Sequence, residues 1–409
     1  MYEEKMIPHL FRMEFSKICS VLSGYLGLDH LEMAEDITSE TFLAALETWP
    51  YSGVPENPTA WLYVVAKNKT RNYLRRNNIF LGRIKPELQR TEITIDEPDL
   101  SEKNISDSQL RMLFAICDPS IPSESQIGLA LRILCGLGID EIATAFLESK
   151  ETINKRLFRA REKLRSHSFD KVIEQGVHKY EGRLANVLTT IYLLFNEGYY
   201  SETSDELIRE DLCREAMHLM DVLLGHADTA KPEVHALYAL MCFHASRLRA
   251  RKGSEEQIIL YDDQDENLWD PELISRGAYH LNLSATGNRL SQYHTEAAIA
   301  YWHTQKTEST EKWEMILQLY DQLLGISYSP IAALNRVYAL SRVRGKHAAI
   351  FEAEKLQLTR QPYYYRLLAE LYEEEDNKKA FHFLEKAWEL ARTKTEKQQI
   401  REKMDKWAW

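Results

Sequence analysis

The stretch Ile139–Arg165, IDEIATAFLESKETINKRLFRAREKLR, decides how the chain is read. It predicts a short helix, a break at Glu148 to Lys150, and a second helix. In that second helix Ile153, Leu157, Ala160 and Leu164 fall at i, i+4, i+7 and i+11, an apolar stripe that must face a scaffold. The opposite face then carries Thr152, Lys155, Arg156 and Arg159, and Arg161, Lys163 and Arg165 follow toward the end. A recognition helix needs donors in this order: early residues reach base edges in the major groove and later ones hold phosphates. Ile139, Ile142, Ala143 and Phe146 suit the supporting first helix. A plain surface helix whose cations complement its own dipole is the competing reading.

A second basic patch lies upstream in Ala60–Asn77, AWLYVVAKNKTRNYLRRN. Leu62, Val65, Ala66 and Tyr73 share one helix face. Lys67, Asn68, Arg71, Asn72, Arg75 and Arg76 share the other, with Trp61 and Tyr63 beside them. Cations mixed with amides and aromatics suit unpaired bases, which offer stacking faces and exposed edges. Trp61 and Tyr73 taken singly read as core residues.

These patches sit in a chain of 409 residues, long enough for two or three domains. Its 44% apolar and 28% charged residues exclude a collagen, a wholly disordered chain and a membrane bundle. No apolar run reaches the ~18 residues that span a bilayer, and the start lacks a basic segment followed by an apolar one, so a soluble cytoplasmic protein without membrane contact is expected. Cys19, Cys117, Cys135, Cys213 and Cys242 are scattered and never form CxxC, which fits reduced core residues better than zinc ligands. The net charge is −11, with 21 basic against 25 acidic residues in 1–170. Any nucleic-acid contact must therefore come from local patches.

Apolar periodicity predicts helices near Leu10–Leu26, Leu31–Trp49 and Thr59–Arg76, with Pro50, Pro55 and Pro58 punctuating the gap before the third. Residues 78–107 lose the periodicity. They carry Pro86, Pro98 and the acids Glu92, Asp96, Glu97, Asp99, Glu102 and Asp107, and read as a tether. Residues 108–168 form a second helical unit, and 169–409 read as helix after helix, which makes the fold class all-α. The last part repeats at a period of 34: Leu334 with Leu368, Tyr338 with Tyr372, Ile350 with Leu384, Ala353 with Ala387, Leu356 with Leu390. That is the tetratricopeptide length, against the plainer reading of a helical bundle with a chance period.

No GxxxxGK[ST], HExxH, GxSxG or glycine-rich dinucleotide turn occurs, so catalytic residues, cofactor and metal are all expected to be absent. Asn196, Glu197 and Gly198 read as a helix terminus. The acidic tract Asp262–Asp270 lacks the EF-hand spacing and reads as a structural loop pinned by Trp269.

Taken together the motifs resemble the extracytoplasmic-function sigma factors of bacterial RNA polymerase. Ala34–Phe42 resembles the acidic helix that binds the polymerase clamp, which implies Glu35, Asp36, Glu40 and Phe42 as core-polymerase contacts. Pro58–Arg76 resembles the helix that opens and reads the −10 element, implying Trp61, Asn68, Arg71, Asn72, Arg75 and Arg76. Ile139–Arg165 resembles region 4, implying Thr152, Lys155, Arg156, Arg159 and Arg161 at the −35 element. Residues 1–77 would then be region 2, 78–107 the linker and 108–168 region 4. Ser39 and Asn72 depart from the usual Gln and Asp. Leu110–Phe114, Asn196–Tyr199, Asp263–Asp265 and Trp269–Asp270 resemble the long members with a C-terminal tetratricopeptide-like extension. That subgroup implies core RNA polymerase and promoter DNA as partners, and a C-terminal domain, residues 169–409, that modulates activity and holds a protein or small-molecule regulator. The alternatives are a tetratricopeptide-type scaffold and a conventional DNA-binding regulator, neither of which has a use for the acidic helix or for the amides Asn68 and Asn72.

Overall fold

The computed structural model describes residues 3–84, 97–146, 148–166, 180–199, 210–253, 259, 261–373, 375–391 and 394–407. Among the described residues the regular structure is helical apart from one isolated bridge residue, and no helix is long and apolar enough to cross a membrane. Two compact units emerge: Met1–Leu193 with Asp221–Thr229, and Leu194–Met220 with Ala230–Trp409.

In the first unit, α1 (Glu3–Leu26) buries Phe15, Ile18, Cys19 and Leu22 at i, i+3, i+4 and i+7, the pattern of a helix enclosed by neighbours. Those neighbours are α2 (Leu31–Ser52), α3 (Pro58–Ile84) and α4 (Glu102–Ile116). Pro50 does not end α2 as its position in sequence suggested. It sits in the last turn, and Gly53 at φ 81° closes the helix by donating its N–H to the Trp49 carbonyl at 3.0 Å. The expected tether is also shorter: α3 continues to Ile84, and α4 starts at Glu102 behind an N-cap from Ser101. Pro86, Glu92 and Asp96 lie outside the described residues.

Next, α5 (Ser123–Leu129) runs into a π turn at Ala130–Leu134, in which the Cys135 N–H reaches back five residues to the Ala130 carbonyl. Gly136 at φ 69° then reverses the chain so close to Phe15 that a Cβ there would lie 3.3 Å from that side chain. The pair α6 (Ile139–Ala145) and α7 (Lys150–Ser166) matches the expected helices and break. Ile153, Leu157, Ala160 and Leu164 are all buried, and α7 packs on α5 and α6 through them. Residues expected to form separate modules thus share one unit. That unit also takes in α8 (Tyr180–Tyr199) as far as Leu193: Asn186 and Thr190 both donate to the buried Gln126 carboxamide oxygen, at 2.9 and 2.8 Å, and Arg183 pairs with Asp118.

The second unit takes the end of α8 and most of α9 (Glu210–Leu224). It continues with α10 (Pro232–Ser246), α11 (Leu248–Arg251), α12 (Pro271–Ser284), α13 (Gln292–His303) and α14 (Thr310–Ile326). It ends with α15 (Pro330–Arg344), α16 (Lys346–Leu356), α17 (Pro362–Tyr372), α18 (Asn377–Leu390) and α19 (Lys394–Trp407). From α13 on, each helix packs on the next. All ten residues of the 34-residue register, from Leu334 to Leu390, gather in one hydrophobic cluster formed by α15 to α19. Gly198 does not terminate α8, which includes Tyr199. The acidic tract does behave as a loop: Asp265 caps a short turn, Asp270 caps α12, and Trp269 is buried. All five cysteines are buried and free, and no group of three or more metal-ligating side chains occurs among the described residues.

Candidate nucleic-acid interface

Three helices of the first unit carry the residues singled out from the sequence. On α2 the inward stripe is Leu31, Ala34, Glu35, Thr38 and Phe42, so Glu35 and Phe42 are not surface groups: they are 6% and 2% exposed. Phe42 meets the Phe11 ring at 4.9 Å between centroids. Asp36 and Glu40 face outward with Leu43, Leu46 and Glu47, and Glu40 pairs with Lys69 at 2.9 Å. Leu43 and Leu46 are each 52% exposed. Sequence reasoning passed over these two leucines; exposed apolar side chains flanked by carboxylates were the available signal.

On α3, Leu62 and Ala66 are fully buried and Thr70 closes the same face. Trp61, expected both as a core residue and as a −10 contact, is half-buried with its ring edge toward Trp49, 5.3 Å between ring centroids. Tyr63 donates to Glu14 Oε2 at 2.7 Å, and burial with that carboxylate pushes its hydroxyl pKa well above the ordinary value. Asn68, Asn72, Arg75 and Arg76 are exposed, with Val64 among them. Arg71 is tied back, pairing with Glu97 at 3.2 Å and donating to Asn68 Oδ1. This face holds two exposed guanidiniums and two amides on one side of a helix whose other side is core.

On α7 the Ser149 hydroxyl caps the N-terminus by accepting the Thr152 N–H at 3.2 Å. Bonds from its own N–H and from Ser149 hold the Glu151 carboxyl below the usual range. Thr152, Lys155 and Arg159 are exposed as expected. Arg156 is not: its side chain is 17% exposed, paired with Glu148 at 2.6 Å and Glu124 at 3.3 Å, and lies over the Phe146 ring. Arg161 departs further. Its Nη2 reaches both oxygens of Glu35, at 2.9 and 2.8 Å, and Arg132 approaches the same carboxylate at 3.7 Å. Arg165 adds a bond to Glu32 at 3.0 Å. The expected outward face fails at Arg156 and Arg161 because acidic residues of the same unit compete for them. Beneath the cluster Cys19 is fully buried, and burial and the Glu35 charge both raise its thiol pKa.

The first unit thus presents helices with cationic and amide faces. Comparison with known proteins agrees with that class. Residues 10–79, from α1 through most of α3, match the sigma-70 region 2 family, and residues 183–285 match a family of unknown function (DUF6596). The ECF RNA polymerase sigma-E factor of Escherichia coli (strain K12) is 26% identical over 151 residues, 36% of this chain and 78% of that protein. The RNA polymerase sigma factor YlaC of Bacillus subtilis (strain 168) is 28% identical over 164 residues, 39% of this chain and 91% of that protein. No solved structure matches the chain.

The chain therefore carries a sigma-70 region 2 domain and partial homology to ECF sigma factors, proteins that act by binding and not by catalysis. Over its greater length it belongs to the family of the uncharacterized protein R00370 of Rhizobium meliloti (strain 1021), with 34% identity over 342 residues, 82% of this chain and 80% of that protein.

Proposed function

We propose that the chain is a sigma factor of the extracytoplasmic-function type, acting in the cytoplasm, that binds core RNA polymerase and directs promoter-specific initiation. The observation that carries this reading is the region 2 match over 10–79 coinciding with the exposed amide and guanidinium face of α3. Asn68, Asn72, Arg75 and Arg76 would hold the −10 strand. Such contacts offset the unstacking of extruded bases, a few kcal/mol per step, and no nucleotide is consumed by the protein. Asp36 and Glu40, with Leu43 one turn further along the same face, would meet the polymerase. On α7, Thr152, Lys155 and Arg159 would read the −35 element.

Glu35 and Arg161 belong to the same reading with an altered role. They are bonded to each other, so engaging polymerase and the −35 element through them requires exchanging that pair for outside partners. In this reading region 2 lies in 1–77 and region 4 in 108–168, and the linker of 78–107 is trimmed by the end of α3 at Ile84 and the start of α4 at Glu102. The tetratricopeptide-like helices of 169–409 would modulate output and hold a regulator; the 34-residue register gathered in one cluster supports this. Transcription with core enzyme, with and without the full chain, across a genomic promoter library tests the proposal. Gain at a defined promoter is expected, and no gain at any promoter overturns it.

A further inference from the structure

His244, Arg247 and Arg251 stand at i, i+3 and i+7 where α10 runs into α11, and so share one face. Both guanidiniums are buried, each residue 8% exposed, and neither is paired with a carboxylate among the described residues. Arg247 donates from Nε to Gln264 Oε1 at 3.0 Å and lies over the Tyr261 and Trp269 rings, 4.7 and 5.5 Å from their centroids. Arg251 lies 3.9 Å over the Tyr199 ring and donates from Nη1 to that residue's backbone carbonyl at 3.3 Å. The carboxylate of Glu308 is already committed, to Lys312 Nζ at 2.6 Å and Trp313 Nε1 at 2.7 Å. Neutral partners answer the geometry of the two arginines but not their charge. Buried like charges one turn apart repel, and burial together with Arg251 holds Arg247 below its ordinary pKa.

Three further nitrogens in this cluster are cut off from solvent with no hydrogen-bond partner among the described residues: Nε1 of Trp269, Nδ1 of His244 and Nδ1 of His303. Trp269 is itself only 6% exposed. The His244 ring lies 4.5 Å from Tyr199, and the His303 ring 4.9 Å from Tyr261, the same two tyrosines that flank the arginines. Burial, then the Arg247 charge, pushes both imidazoles down to about 3, so they are neutral at neutral pH. An indole N–H can only donate, and guanidiniums can only donate. Positive charge without a carboxylate partner beside the unused indole donor calls for a species that carries negative charge and acceptor atoms, which describes an oxyanion.

We propose that this cluster in the second unit binds a small oxyanion-bearing metabolite, a carboxylate or a phosphate, between Arg247 and Arg251. The site supplies a ligand chemistry for the C-terminal modulation proposed above and rests on that reading only for its biological use. Its test involves no polymerase, so either can fail alone. The full chain is titrated calorimetrically with inorganic phosphate and, separately, with succinate, against potassium chloride at matched ionic strength. Hydrogen exchange over residues 244–251 is followed in parallel.

Saturable binding of at least one probe is expected, with slowed exchange at 244–251; which probe binds distinguishes phosphate from carboxylate as the natural group. Arg247→Gln and Arg251→Gln should each weaken binding on the order of tenfold, the loss of one charge-assisted bond, with unchanged circular dichroism. Absence of saturable binding for both probes overturns the proposal, as does binding that the substitutions leave at wild-type strength. Should a substituted chain fail to fold, exchange in the unsubstituted protein decides: no added protection at 244–251 refutes the site.

Discussion

Two basic helices in one unit use their charge differently. On α3, Arg75 and Arg76 project into solvent while the opposite face is core. On α7, Arg156, Arg161 and Arg165 are drawn onto Glu148, Glu35 and Glu32, whereas Lys155 and Arg159 stay exposed and stand outside these ion pairs. Similar sequence signatures, cations opposite an apolar stripe, therefore give one face on which Arg75 and Arg76 stay open and Arg71 alone is paired, and one on which three arginines are engaged. A helical wheel describes a helix alone; the acidic residues of neighbouring helices decide which cations remain available to phosphates.

Glu35→Ala puts this contrast under the greatest strain. It strands Arg161 and Arg132 in a partly buried setting, and loss of one partner of such a group costs about 3–5 kcal/mol. Urea unfolding of the full chain should show an early transition at lower denaturant, and a stability equal to that of the parent would mean the cluster is solvent-screened. A smaller effect is expected from Gly136→Ala, which forces a side chain into a left-handed position against Phe15. About 1–3 kcal/mol of stability should go, visible as a lower melting temperature.

Within α7 two arginines one turn apart should behave differently. Arg156→Ala removes two ion pairs and should cost about 1 kcal/mol, whereas Arg159→Ala should leave stability within about 0.5 kcal/mol and weaken duplex binding at the −35 element. Equal stability losses for the two would show Arg156 to be no more engaged than Arg159. The smallest structural change is expected on α3. Arg75→Ala with Arg76→Ala should not move the melting temperature, while the salt dependence of promoter binding should fall by a slope of about two, near one for each phosphate no longer held. An unchanged slope would remove both residues from the interface.

Much of this architecture is legible in the residues themselves. The start of α2, the ends of α6 and α7 and the buried stripe of α7 follow from spacing, because a helix repeats every 3.6 residues and must hide its apolar side. The placement of Glu35 is partly legible as well: it shares the stripe of Leu31, Ala34 and Thr38, and an acid on an apolar stripe is a buried acid seeking a cation. Resemblance drew it to the surface set with Asp36 and Glu40. The faces around His244, Arg247 and Arg251 went unread because α10 is buried nearly all round, so no polar side announces itself.

From sequence alone came the helices, their inward faces, the absence of catalytic motifs and the two basic patches. Each depends on residues within a few turns of one another. Tertiary structure alone decided which charges are free, since Arg161 meets Glu35 across 126 positions of chain. It likewise decided that Arg247 and Arg251 lie buried against aromatic rings with neither paired to a carboxylate among the described residues. Electrostatic partnership is set by distance in space and by the removal of water, and neither is written in the order of residues along the chain.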